Sequence, residues 1–571
     1  MDQGLMEAGT TPAGGSREAE APRGTAMVTA PKRVINGWAM YDWANSVYNL
    51  VITTTFFPMY FIAATKKHFG SDQIPFLGRK FENSSLYSYS LAAAYLLIAI
   101  LYPILTSVAD TRGNKKNFMR AFCYMGAAGC SILYFFDGSN LGLGIMSFML
   151  ASMGYVGSLV FYNAYLPEIA VPEDQDRVSA KGYAYGYIGS VLLQLIGFAL
   201  VLTIKNDPFL GPRLTFLLTG LWWAGFAQFT FAVLPKVKRI ALKKVNVFTD
   251  GFAEIKKVYG EVRKMAVLKR YLRGFFFYSM GVQTVMMAAT LFGSKLLGLD
   301  DIKLIVTVVL IQLIAIAGAM LMSRLSAIYG NIKVLMGVVL FWILICVAAY
   351  LTAGMAAPLK PYHEKIEALH KQKDQLEARK ALALAALSEA NARANAAARA
   401  GHARSDTSPV NAAARSGDSV ASPAQTPAAS ANPAAASTLL SLESEEGRLE
   451  GELSRWEAEL APRQGPIEYS FYLLALAVGL VMGGIQSLSR STYSKLMPET
   501  KDTASYFSYY DLTEKIAIVV GMFSFGFIDD MTGNMKNSVV FLIIFFVIGL
   551  IWLYSALTKQ NQLTAASGKA L

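Results

Sequence analysis

The stretch INGWAMYDWANSVYNLVITTTFFPMYFIAA, residues 35–64, is apolar and long enough to cross a bilayer, yet it carries Asp42, Asn45 and Asn49. About 20 helical residues cross the roughly 30 Å of a hydrocarbon core. At about 100° per residue, Asp42, Asn45, Ser46, Asn49 and Thr53 fall within one helical stripe roughly 100° wide. An unpaired charge facing lipid is costly, so a stripe holding a carboxylate predicts a helix whose polar face looks into a bundle.

The rest of the chain supplies that bundle. Hydrophobic residues make up 54% of the 571, above the roughly 45–50% of soluble domains. The mean hydropathy of +0.37 agrees. Apolar runs long enough to span occur near 36–64, 86–108, 118–136, 141–166, 182–203 and 214–234, and again near 275–297, 303–322, 334–356, 468–497, 505–528 and 537–557. The fold class expected is therefore an all-α membrane protein with twelve transmembrane helices in two six-helix bundles, 35–234 and 274–356 with 467–558.

Lysine and arginine concentrate in every second connecting loop, which predicts both termini on the cytoplasmic side. Residues 1–34 are polar and predict a disordered cytoplasmic tail, and 559–571 form a second tail. The linker 235–273 holds 12 Lys and Arg. Anionic lipid headgroups are a sufficient partner for it, and for the net charge of +12, without nucleic acid. Cys123, Cys130 and Cys346 lie inside apolar runs, and the four histidines lie outside them, so the pattern points to no disulfide framework, metal site or cofactor. With no nucleophile–base constellation in the spans, an enzyme is not expected. Nor does a phosphate-binding G-x-x-x-x-G-K-[ST] loop occur, which removes the usual engine of a primary pump.

The two halves resemble each other. ADTRGNKK after span 2 matches SAIYGNIK after span 8 at an offset of 217 residues, and PEDQDRVS matches PETKDTAS at an offset of 326. The difference, 109, predicts an insertion between spans 8 and 10, and residues 357–466 have the foreign composition. The insertion falls in a loop on the extracytoplasmic side. Its centre predicts disorder. Its flanks carry Leu369, Leu376, Ala383 and Ala390 at sevens, and Leu439, Leu442, Leu449, Leu453, Trp456 and Leu460 at threes and fours, with Glu446 the polar member of that series. Such spacing predicts an antiparallel helical hairpin of coiled-coil type, with a protein partner as one use for it.

Twelve spans, the repeat, and TSVADTRGNKK after span 2 resemble the major facilitator superfamily, whose signature at that loop is G-x-x-x-D-x-x-G-[RK]-[RK]. This chain keeps Asp110, Gly113, Lys115 and Lys116, with Thr106 for the first glycine and Asn114 for a basic residue. NGWAMYDWANSVYNLVI, FYNAYLPEIA and GGIQSLSRS are similar to the vacuole-effluxer-like branch. That resemblance implies two bundles around a central cavity, alternating access, and, from its eukaryotic members, amino acid release from a vacuole. With no vacuolar sorting signal evident, a bacterial inner membrane is the expected location.

Five ionisable residues fall within spans: Asp42, Arg490, Asp511, Glu514 and Lys515. In the fold that the chain resembles, spans 1, 4, 7 and 10 line the cavity. Their polar faces nominate Asp42, Asn45, Asn49, Tyr162, Gln283, Gln486 and Arg490 for the transport pathway, with Asp42 and Glu514 as proton-coupling candidates. The remaining polar positions of span 4 (Tyr155, Ser158, Tyr165), span 7 (Ser279, Thr290) and span 10 (Ser489, Tyr493) share those faces. Aspartate and arginine would meet the amino and carboxylate groups of a zwitterion. Asp110, Arg112, Gly113 and Lys115 are the cytoplasmic gate motif implied by the resemblance. Ala327 stands in the repeat-equivalent place of Asp110, so no equivalent lock is expected from the second half. The function expected is a secondary transporter of a small polar or zwitterionic solute. The alternative is a receptor or scaffold that binds a partner through the insertion.

Overall fold

Helices follow the apolar runs, and glycine ends several of them. Gly113, at φ 61°, closes the helix of span 2 in the left-handed conformation that only glycine adopts freely. A computed structural model describes residues 28–235, 247–299, 301–405 and 433–566. Most of the expected N-terminal tail, part of the basic linker, the centre of the insertion and the last residues of the C-terminal tail lie outside the described residues.

The first half comprises α1 (Lys32–Val47), α2 (Phe57–Phe69), α3 (Asn83–Arg112), α4 (Lys115–Ile132), α5 (Leu141–Asn163), α6 (Leu166–Ile169), α7 (Pro172–Thr203) and α8 (Leu210–Val233). A π-helical segment, Tyr48–Phe56, joins α1 to α2 without a break in the span. A hairpin of β1 (Gln73–Phe76) and β2 (Arg79–Glu82), turning at Leu77 and Gly78, joins α2 to α3. The second half comprises α9 (Val247–Lys264), α10 (Ala266–Leu291), α11 (Asp301–Tyr329), α12 (Asn331–Ala356), α13 (Lys360–Ser405), α14 (Pro433–Leu496), α15 (Thr503–Thr532) and α16 (Met535–Ala566).

Ten of the described helical stretches are long and apolar enough to cross a membrane. The expected spans 7 and 11 fall on α10 and α15, which are not among those ten, and α15 carries Asp511, Glu514 and Lys515 within its run. Leu96, Ile100, Leu192, Leu344 and Ile551 lie exposed on outer helix faces, as a lipid environment requires. The protein is an integral multi-pass membrane protein. Within the first half α1 packs on α7 and α8, and α4 on α5; within the second, α10 and α12 pack on α16, and α11 on α14. The halves meet where α7 lies against α11 and α14 and where α3 lies against α15.

Around the expected insertion, the helix is not interrupted where the sequence suggests a boundary. One α14 carries both the second flank and span 10, through Pro462 and Pro466. Along α13 and α14 the pairs Lys373–Glu450 at 2.8 Å and Lys380–Glu446 run antiparallel. Leu369, Leu376, Leu442 and Leu449 are buried between them. Glu446, the polar residue within the leucine series, is thus neutralised across the seam by Lys380.

Candidate functional site

A polar cavity of about 140 Å³ lies where the halves meet. From the first half α1 contributes Asp42, Ser46 and Asn49. From the second, Gln283 on α10 and Gln486 and Arg490 on α14 face them. Beyond the four expected spans, α3 adds Tyr95 and Tyr102, α7 adds Tyr183 and Tyr187, and α15 adds Asp511, Glu514 and Lys515.

Two predicted pathway residues stand off the lining. Asn45 is fully buried, and its Oδ1 accepts a long bond from Ser46 Oγ at 3.5 Å. It occupies the edge of the stripe, some 60° from Asp42 on an ideal helix. Thr53 also leaves the stripe. The π-helical segment packs more residues into each turn, so the period that placed Thr53 under Asp42 is lost after Val47. Tyr162 lies behind the cavity wall, stacked on Trp38 with ring centroids 4.4 Å apart, and donates its hydroxyl to Asp42 Oδ2 at 2.7 Å.

Asp42 and Arg490 pair across the halves at 3.3 Å, with side chains 7% and 3% exposed. Arg490 also donates Nε to Ser179 Oγ and Nη2 to the Ser179 carbonyl, both at 2.9 Å, and Nη1 to Asn163 Oδ1 at 3.3 Å. The rings of Tyr183, Trp38 and Tyr162 surround its guanidinium at 4.4, 4.9 and 5.4 Å. Gly182 makes room for this cluster: a Cβ there would collide with Asp42 Oδ2, Tyr162 and Arg490. Elsewhere on the lining, Glu514 pairs with Lys515 at 3.1 Å and accepts from Gln283 at 3.3 Å, and Gln486 accepts from the Tyr187 hydroxyl at 2.8 Å.

Among the polar-face residues of the sequence reading, Tyr155 lines the cavity, whereas Tyr165 is fully buried and Ser158 donates to the Tyr155 carbonyl. Ser489 bonds Tyr278, Tyr493 donates to the Tyr506 carbonyl, and Ser279 is buried away from the lining. The side chain of Thr290 lies outside the described residues. Ser179, Asn163 and Tyr183 carry no signal in the sequence that nominates them, whereas Asp511 stands out there as a charge in an apolar run.

At the end of the bundle nearest the basic linker, Asp110 accepts from Ser505 N and Oγ, both at 2.8 Å, and from Ala504 N at 3.3 Å, at the start of α15. Lys115 pairs with Asp110 at 3.2 Å and with Glu168 at 2.6 Å, and it donates to Thr503 Oγ1 and the Lys501 carbonyl. Arg112 makes no ion pair among the described residues, and its Nε has no hydrogen-bond partner. Ala327 brings no carboxylate to the corresponding place, and the first half supplies one there instead. Asp176, at the start of α7, accepts from Ser326 Oγ at 2.7 Å, Asn331 Nδ2 at 2.6 Å and Lys495 Nζ at 2.7 Å. The pairing is the repeat of the first with its polarity reversed: this carboxylate sits at the start of α7 and faces the end of α11, whereas Asp110 sits near the end of α3 and faces the start of α15.

The family model described as "Vacuole effluxer Atg22 like" matches residues 30–368 and 464–566. The chain belongs to the vacuole effluxer Atg22-like family. The residues left unmatched between the two segments fall inside the predicted insertion. Among individual proteins, the uncharacterized MFS-type transporter YxiO of Bacillus subtilis (strain 168) is 24% identical over 528 residues, covering 90% of this chain and 93% of that one. Autophagy-related protein 22 of Eremothecium gossypii is 38% identical over 93 residues, covering 16% of this chain and 18% of its own length. In three dimensions the chain resembles a bacterial homologue of the iron transporter ferroportin in an outward-facing state (TM-score 0.52, 11% identity, covering 92% and 98%). It also resembles the major facilitator transporter FucP in an outward conformation (TM-score 0.53, 9% identity, covering 92% and 98%). At such identities the likeness establishes the major facilitator fold. By family the chain is a membrane transporter, not a catalyst.

Proposed function

We propose that this member of the vacuole effluxer Atg22-like family is a secondary transporter that moves a small polar or zwitterionic solute, such as an amino acid, by alternating access. The observation that carries the reading is the polar cavity between the halves, closed by a charge pair whose members belong one to each half. Rocking one half against the other would separate Asp42 from Arg490. The reading takes the helices as twelve spans in two bundles, with the linked end cytoplasmic and both termini on that side of a bacterial inner membrane. Asp42 and Arg490 satisfy each other in this state, so each meets solute only when the pair opens.

Two partners complete the reading. Arg263, Lys269 and Arg273 gather at a cleft with Tyr259 and Tyr509 at the cytoplasmic end, which suits anionic lipid headgroups. The antiparallel pair of α13 and α14 stands on the opposite side, and its exposed Leu382, Leu384 and Leu440 support a protein-docking role for it. The test is a thermal-shift screen of purified protein against amino acids, followed by flux in proteoliposomes. Stabilisation with flux supports transport. Protein that is stabilised by no solute and moves none, yet captures a partner through the insertion, makes the scaffold the better account.

A further inference from the structure

We propose that Asp511 is the cation-binding centre of the cavity: its carboxylate takes up a monovalent cation, either a proton or the ammonium group of the solute, in each cycle. The inference rests on the transport reading and names the group within that site that does the exchanging.

Charge balance selects the residue. The cavity lining holds three carboxylates and two cations. Asp42 is held by Arg490 and by the Tyr162 hydroxyl, and Glu514 by Lys515 and Gln283. Asp511 remains. It is 4% exposed, forms no ion pair among the described residues, and its Oδ2 is buried without a hydrogen-bond partner. Burying an ionised carboxylate without a counter-charge is costly by several kcal/mol or more, so Asp511 is protonated or paired with a cation whenever the cavity is closed.

The surroundings fit that role. No charge on the elements around α15, among the described residues, is free to serve instead. On α15 itself Lys515 lies one helical turn on, but its Nζ is given to Glu514 at 3.1 Å. On α14 Arg490 is given to Asp42, Ser179 and Asn163. From α3 come Tyr95 and Tyr102, from α7 Tyr183 and Tyr187, from α5 Asn163 and from α10 Gln283, none of them a cation. On α9, at the cytoplasmic end, Lys257 is given to Glu254 at 2.9 Å and Asp502 at 3.0 Å. Among the described residues α16 adds nothing to the lining. The tyrosine rings suit an ammonium group, whose charge their π-faces attract. With Asp42 and Glu514 already paired, Asp511 leaves one negative charge in the cavity, which one monovalent cation balances.

Position links the centre to the gate. Asp511 lies six residues, about 9 Å of helix, from Ser505, the residue that Asp110 grips. Movement of α15 away from α3 on unlatching would therefore move the centre. Lys515, four residues from Asp511, is the group placed to displace the cation when its bond to Glu514 breaks. For the proton the step balances simply. A proton from one aqueous side converts the carboxylate to the neutral acid, and the same proton leaves to the other side as the carboxylate is restored.

Dicyclohexylcarbodiimide adds covalently to protonated carboxyl groups in apolar surroundings, so peptide mass spectrometry of the full chain in lipid nanodiscs reads the centre without any flux assay. The expected adduct is on Asp511, falls as pH rises, and is lost in Asp511→Asn. Labelling that methylammonium leaves unchanged assigns the centre to a proton; labelling that methylammonium blocks shows that an ammonium group shares it. With no label, a methylammonium thermal shift present in the native chain and abolished by Asp511→Asn assigns it to ammonium alone. Adducts on Asp42 or Glu514 with Asp511 unmodified overturn the proposal. So does the absence of both the Asp511 adduct and the methylammonium shift in the native chain, which needs no variant to fold. Proteoliposomes that move no solute while Asp511 is labelled sink the transport reading and leave the cation centre standing.

Discussion

Asp176→Asn should unlatch the end of the bundle nearest the basic linker. Asp176 accepts three bonds, from Ser326, Asn331 and Lys495, at 2.6–2.7 Å. A hydrogen bond to a charged group contributes about 1.5–3 kcal/mol net, and a neutral one about 0.5–1.5 kcal/mol. Asparagine keeps one acceptor oxygen for Ser326 or Asn331 and turns N–H groups toward the other donors. The loss is then roughly two charge-assisted bonds, about 3–6 kcal/mol. Lys495 recovers part of it, because its side chain is 22% exposed and keeps Asn331 Oδ1 at 3.0 Å. A net loss of about 2–4 kcal/mol remains, which moves the ratio of latched to open molecules by about 30- to 900-fold. The assay places spin labels on cysteines introduced at Asn117 and Glu499, both exposed at this end on opposite halves, after Cys123, Cys130 and Cys346 are replaced by alanine. A longer distance population should appear in Asp176→Asn and, independently, in Asp110→Asn. Distances unchanged in both variants, with only a lowered melting temperature, would refute the latch and leave two structural pairs.

Arg490→Gln strands Asp42 at 7% side-chain exposure, so it should cost about 3–5 kcal/mol, while the double variant with Asp42→Asn should recover more than half of that in a denaturation cycle. Additive losses would show that the two charges are uncoupled. Gly182→Ala should drive Asp42, Tyr162 and Arg490 apart and abolish solute stabilisation in a thermal-shift screen, whereas Gly447→Ala, in open space on α14, should leave it unchanged. Equal behaviour of the two variants would count against the crowded charge cluster. Deleting residues 369–459 with a short polar linker should leave the melting temperature near that of the full chain. Removing all of 357–466 should cost a further 1–3 kcal/mol or so, because Gln464 donates to the Leu297 and Gly298 carbonyls. Indistinguishable melting of the two deletions would show that this contact carries no stability.

What the sequence determined by itself was set by the solvent. A bilayer demands apolar runs of a given length with internally satisfied backbones, so the apolar runs that the helices follow are legible one segment at a time. The charges within the spans were legible for the same reason, since Asp42, Arg490 and the three of α15 stand out in apolar runs. The tertiary structure decided how they combine. Ideal periodicity assigned Thr53 to the cavity stripe and could not foresee the π-helical turns that rotate it away. Comparing Asp110 with Ala327 missed Asp176, because a lock needs a carboxylate on either partner, and one strand of text shows only one side of a contact. Spacing likewise nominates Asp42 and Glu514 for proton coupling and gives Asp511, the third carboxylate, no role of its own. A charge becomes available for exchange only when every other charge nearby is already taken, and that is a property of distances between helices far apart in the chain.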